Sequence, residues 1–124
     1  DPDLGEGKDI LVQGSIAPVH EFRAHNAPLG MAFIAGKTLP KNYQGAALVA
    51  LHGSWNRRER DGYKVVSLHW KKDGSIVEKD FVAGFHDGDT ILARPVDVVE
   101  GHDGTIYISD DYAGAIYKVR YFQP

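Results

Sequence analysis

The chain has 124 residues, 43% of them hydrophobic, with 14 basic and 17 acidic side chains and a net charge of −3. That length holds one compact unit, and the interspersed charges form no basic stripe able to neutralise a run of phosphates, which argues against nucleic acid as a partner. The longest apolar runs fall far short of the roughly 20 residues that span a bilayer, and the absence of cysteine excludes disulfides, thiolate catalysis and cysteine-zinc sites.

Residues 1–27 are polar and glycine-rich, with Ile10–Val12 and Val19–Phe22 as candidate short strands, and read as an entering loop or linker that needs a neighbour to rest on. Because the chain opens on Asp1 and its single methionine is Met31, it is expected to be a processed or excised piece. From Gly30 onward, short stretches rich in β-branched and aromatic residues predict seven strands: Gly30–Ile34, Ala46–Leu51, Tyr63–Trp70, Ile76–Val82, Pro95–Val99, Thr105–Ser109 and Ala115–Phe122. Helical spacing is not sustained anywhere, and 14 glycines with 6 prolines break the chain every few residues. The fold class is all-β.

The segments repeat. Ala27-Pro28-Leu29-Gly30-Met31-Ala32-Phe33 is echoed by Arg94-Pro95-Val96-Asp97-Val98-Val99, and Gly45-Ala46-Ala47-Leu48-Val49-Ala50 by Gly104-Thr105-Ile106-Tyr107-Ile108-Ser109. Gly62-Tyr63-Lys64-Val65-Val66 is echoed by Gly114-Ala115-Ile116-Tyr117-Lys118-Val119, in the same order. The first copy continues into a fourth strand and the second does not. This predicts a partial β-propeller of about two blades of antiparallel four-stranded sheet: one full blade over 28–85 and three strands of the next over 94–122. A β-sandwich is the alternative, since strand spacing alone does not separate the two.

One loop gathers chemistry. His52-Gly53-Ser54-Trp55-Asn56-Arg57-Arg58-Glu59-Arg60 lies between the second and third strands. An indole face stacks on a flat ring and guanidinium forks bind carboxylates bidentately, so this loop would suit a planar polyanion; a core tryptophan beside a solvated arginine turn is the competing reading. Asp97, Asp110 and Asp111 lie at strand positions or ends, where a carboxylate orients a sugar hydroxyl or, more commonly, caps a turn. The six histidines lack zinc spacing, Asp87-Gly88-Asp89 and His102-Asp103-Gly104 read as turns rather than calcium loops, and Ser54 lacks the G-x-S-x-G elbow of a hydrolase nucleophile.

The stretches APLGMAF, HGSWNRRERDGYKVV, DFVAGF, ARPVDVV and GTIYISDDYAGAIYKVRY resemble, in order and spacing, the C-terminal part of the PQQ-dependent soluble sugar dehydrogenases of the sorbosone and aldose dehydrogenase type. HGSWNR followed by GYKVV is the most specific element, and the resemblance covers about residues 26–122. It implies a six-bladed parent propeller, periplasmic or secreted, that binds pyrroloquinoline quinone and calcium and oxidises sugars or related aldehydes and alcohols, with a quinone or cytochrome as electron acceptor. His52, Trp55, Asn56, Arg57 and Arg94 are then implied cofactor contacts, Arg57 and Arg94 foremost. The catalytic base belongs to an earlier blade, so this chain alone is expected to bind no cofactor and to be inactive, and to self-associate where its missing blades would pack. A non-catalytic propeller module binding carbohydrate or protein is the alternative, because fold does not fix function.

Overall fold

The computed structural model describes residues 13–122. Among these described residues nine strands form three antiparallel sheets: β1 (Pro28–Phe33), β2 (Ala47–Leu51), β3 (Lys64–Trp70) and β4 (Ile76–Val82) in that order; a hairpin of β5 (His86–Asp87) and β6 (Thr90–Ile91); and β7 (Pro95–Glu100), β8 (Ile106–Asp110) and β9 (Ala115–Val119) in that order. A 3-10 turn, Lys41–Tyr43, interrupts the β1–β2 connection. One full blade and three strands of a second are therefore present, each meandering outward from a strand that opens on proline. Proline suits that place because an opening residue need not donate to the ladder. The short β5–β6 hairpin, closed through Gly88 and Asp89, joins the two blades and is not among the predicted strands.

Strand alternation sorts the side chains. On the face of the first sheet turned to the third lie Ala32, Leu48 and Val65, and they meet Val98, Ile106, Ile108, Tyr117 and Val119 in one cluster with Ile34 and Leu39. The opposite face carries Ala47, Val49, Leu51, Val66 and Leu68. All five residues of β2 are buried, because both faces of the first sheet are covered over its centre, whereas β8 and β9 alternate because the third sheet is covered on one face only. Each fully buried Leu, Ile or Val side chain contributes about 1.5–3 kcal/mol.

The two blades approach most closely at their first strands. A Cβ on Gly30 would lie 2.5 Å from the Asp97 Cα, so only glycine lets β1 and β7 come together. Beside it, the Glu100 carboxylate accepts the Ala35 N–H at 2.8 Å and the Gly36 N–H at 3.1 Å, tying β7 to the connection after β1. Glu100→Ala should cost about 1.5–3 kcal/mol by orphaning both amides, and Glu100→Gln, which keeps one acceptor oxygen, about half as much. Denaturant titration of the three proteins measures this.

Three details of the sequence reading change. Val19–Phe22 is not a strand: His20 bonds Glu78 of β4 at 2.9 Å while Phe22 packs on the Val66 and Leu68 face, so side-chain contacts rather than a backbone ladder hold the segment. Ile10–Val12 lies outside the described residues. The third repeat match is displaced by one residue, since Lys64 pairs with Leu51 where Ala115 pairs with Asp110. The extra residue is Tyr63, which with Gly62 takes a positive φ (52° and 88°) before β3 begins. The last strand also ends early, at Val119, where Arg120 turns to bond Asp103 and Thr105.

Candidate active site

Antiparallel connectivity puts the β2–β3 loop, the β8–β9 turn and the start of β7 at one end of the blades. The loop is closed at its base by a reciprocal pair: Ser54 N–H donates to the Asp61 carbonyl at 2.9 Å, and Asp61 N–H donates to Ser54 Oγ at 3.2 Å. Ser54 is fully buried, and its carbonyl accepts the Tyr63 hydroxyl. Gly53, at φ 96°, must be glycine because a Cβ there would stand 2.6 Å from the Tyr63 ring. With its neck fixed, the loop holds Trp55 (77% exposed) and Asn56 out toward solvent.

Arg94 joins the blades here. Its guanidinium donates from Nε to the His52 carbonyl at 3.2 Å and from Nη2 to the Gly53 carbonyl at 2.8 Å, and it stands 5.5 Å from the centre of the Tyr63 ring. Cation–π contact and two charge-assisted hydrogen bonds therefore hold the loop of one blade to the first strand of the next. Arg57 ties its loop to the segment before β1, with Nη1 donating to the Ala24 carbonyl at 2.9 Å and to Asp61 of its own loop at 3.3 Å. Each guanidinium retains further N–H donors beyond these bonds.

His52 follows β2 as Asp111 follows β8, and the two side chains meet between blades: His52 Nε2 lies 2.9 Å from Asp111 Oδ1. Asp110 points the other way, into the fold. Its Oδ1 accepts the amides of Arg94, Tyr112 and Ala113, and its Oδ2 accepts the Tyr117 hydroxyl at 2.8 Å. Burial alone would raise this carboxyl; the bonds from Arg94, Ala113, Tyr117 and Tyr112 outweigh it and hold the group below its ordinary value. The same bond raises the Tyr117 hydroxyl. Asp97 lies on β7 with its Oδ1 accepting the Val98 N–H, away from the loop.

The structure thus brings His52, Trp55, Asn56, Arg57, Arg94 and Asp111 to one rim, with Asp110 as the buried acceptor behind it. Among the described residues no group of three or more His, Cys, Asp or Glu side chains converges on a cation. A cavity of about 680 Å³ lies at the opposite end, lined by Lys37, Thr38, Leu39, Pro40, Lys41, Gln44 and Tyr121. None of the residues singled out in the sequence lines it. Sequence reading missed the segment before β1: Asn26 is buried, and the carbonyls of Asn26 and Ala27 accept the amides of Gly53 and His52, both at 3.0 Å.

Comparison with known proteins agrees with this architecture. A protein of Borreliella burgdorferi described as uncharacterized is 39% identical over 110 residues, 86% of this chain and 29% of its own length. The pyrroloquinoline quinone-dependent pyranose dehydrogenase of Coprinopsis cinerea is 29% identical over 86% of this chain and 16% of its own. The holo structure of the PQQ domain of the Coprinopsis cinerea pyranose dehydrogenase superposes with a TM-score of 0.58, at 29% identity, over 78% of this chain and 27% of that one. A calcium structure of a Trichoderma reesei carbohydrate-active enzyme of family AA12 shares the fold, with a TM-score of 0.51 at 24% identity. The chain spans less than a third of the relatives it matches. Residues 9–121 match the TrAA12-like family model, and the chain belongs to that family, which is related to the PQQ-dependent dehydrogenases.

Proposed function

We propose that the chain forms about two blades of a quinoprotein dehydrogenase of the soluble sugar-oxidising kind, and that its rim supplies part of the cofactor site. The observation that carries this reading is the convergence of two arginines, an exposed indole and an exposed amide on one rim, the donor set that a flat polycarboxylate requires. The printed name of the Coprinopsis cinerea relative, a pyrroloquinoline quinone-dependent pyranose dehydrogenase, supports the same cofactor and a sugar substrate. Pyrroloquinoline quinone, when bound, supplies the hydride acceptor. The residues here bind and orient: Trp55 offers a stacking face, Asn56 a paired donor and acceptor, and Arg57 and Arg94 cations for carboxylates, with Arg94 also holding the loop in register. Calcium belongs to the proposed parent, but the side chains described here offer no converging acidic set for it.

The test uses the full-length protein that carries these blades. Arg94→Ala should weaken quinone binding at least tenfold, because a charge-assisted contact of about 1.5–3 kcal/mol is lost, and the isolated 124-residue chain should show no submicromolar affinity. Unchanged affinity in Arg94→Ala and Arg57→Ala would remove both from the site. Tight binding by the isolated chain would show that no other blade is needed.

A further inference from the structure

His52 and Asp111 form a pair that neither blade contains alone. His52 directly follows β2 in the first blade, Asp111 directly follows β8 in the second, and Nε2 meets Oδ1 at 2.9 Å. An ionised carboxylate only accepts hydrogen bonds, so the neutral imidazole facing it carries its proton on Nε2 and keeps a lone pair on Nδ1. Nδ1 has no partner among the described residues. Among described residues that are not exposed, Asn26 Oδ1 alone is both buried and unpartnered, so the His52 Nδ1 is open to solvent. The ring around it is otherwise confined, its side chain only 19% exposed.

Two simpler roles do not account for Asp111. As a latch between blades it would be redundant, because Arg94 already bridges them through the His52 and Gly53 carbonyls, and a pair whose carboxylate is 62% exposed adds little stability. As part of a wall for a polycarboxylate it would be adverse, because it puts a negative charge on the same rim as Arg57 and Arg94. What the carboxylate does is hold the imidazole in one tautomer and one orientation. The nitrogen left open then supplies what the rim otherwise lacks. Guanidinium groups only donate, which suits a ligand rich in acceptors, whereas the hydroxyls of a sugar need acceptors.

We infer that Asp111 is a positioning residue of the site, holding His52 so that its Nδ1 accepts a hydrogen bond from a hydroxyl of the sugar substrate. The inference rests on the reading of the rim as part of a quinone and sugar site and divides the labour there: the arginines and the indole face the cofactor, and His52 faces the sugar.

The test is made in the full-length protein with Asp111→Ala, Asp111→Glu, His52→Ala, and His52→Ala combined with Asp111→Ala. Asp111→Ala should lower kcat/KM for the sugar about tenfold, the loss expected for one misaligned hydrogen bond. It should neither weaken quinone binding, followed by tryptophan fluorescence, nor move the melting midpoint of the ligand-free protein. Asp111→Glu, which keeps an acceptor-only carboxylate at an exposed position, should recover most of the loss. In the His52→Ala background Asp111→Ala should change kcat/KM by less than about twofold, because a residue acting through His52 has nothing left to act on. Turnover is not the only readout. Diethyl pyrocarbonate attacks an unprotonated imidazole nitrogen, so it should modify His52 in the quinone-loaded protein, and saturating sugar should slow that modification, read by peptide mass spectrometry. A full effect of Asp111→Ala in the absence of His52, no recovery by Asp111→Glu, or no protection by sugar would each overturn the inference while leaving quinone uptake intact. Failure of the wild type to take up quinone would overturn the reading of the rim, and this inference with it.

Discussion

Asp110→Ala should destabilise the chain by about 3–4 kcal/mol, measured by denaturant or thermal unfolding. This carboxylate is 4% exposed and accepts four hydrogen bonds, three from amides at the start of β7 and in the turn after β8 and one from the Tyr117 hydroxyl. Removing it orphans three amides and a hydroxyl in one place, and each unmet donor costs about 1–3 kcal/mol before relaxation. Asp110→Asn retains an oxygen for the amides and should lose less than half as much. The pH dependence has a defined sign. The folded carboxyl lies below its ordinary value of 3.8, so its contribution is complete above that pH and is lost as pH falls through the depressed folded value. Melting midpoints of the wild type should therefore drop steeply below about pH 3.8, and those of Asp110→Asn less so. Parallel curves would show that the hub does not govern acid unfolding. Asp73 and Asp103, held below their ordinary values by their bonds to Ser75 and Thr105, are common to both proteins and cancel in the comparison.

Much of this architecture was legible in the sequence because the information is local. Proline at the head of β1 and β7, glycine in the turns, and period-two alternation in between place seven strands without reference to distant residues. The third repeat match slipped by one residue because nothing in Gly62-Tyr63-Lys64 announces that the tyrosine, and not only the glycine, adopts positive φ. At the site, loop position was legible and partnership was not. Arg94 meets the His52 carbonyl across 42 residues and Asp111 meets His52 across 59, contacts that exist only once two blades are stacked. Asp110 and Asp111, adjacent and identical in type, take opposite roles because strand alternation turns one inward and the other toward the neighbouring loop. Asn26 was missed for a different reason: the composition of residues 1–27 is that of a linker, and a buried polar residue within such a stretch leaves no compositional mark.

In solution the isolated chain should self-associate at micromolar concentration, visible by sedimentation or light scattering. The third sheet is covered on one face only, and its other face presents Val99 (55% exposed) and Ile116 (73% exposed) beside Tyr107. At the far side of the first sheet, Met31, Phe33 and Trp70 remain 43–57% exposed, beyond the part that Phe22 covers. Within the chain, the face of the third sheet made by Val98, Ile106 and Ile108 packs on the first sheet. The internal repeat makes Met31, Ala47 and Val49 the counterparts of those three residues, so the open face of one copy matches the far face of another as the two sheets of one chain match each other. Such a contact is head-to-tail and adds copies until a ring closes or the apolar faces are exhausted. Exposed apolar sheet of this kind marks an association surface, and the outer edge of β9, unpaired among the described residues, offers a second route by strand addition. Ile116→Lys and Phe33→Glu, each at one end of the stack and each exposed, should raise the dissociation constant at least tenfold while leaving the melting midpoint within a few degrees. A wild-type chain that sediments as a folded monomer would mean that these faces are covered within one copy.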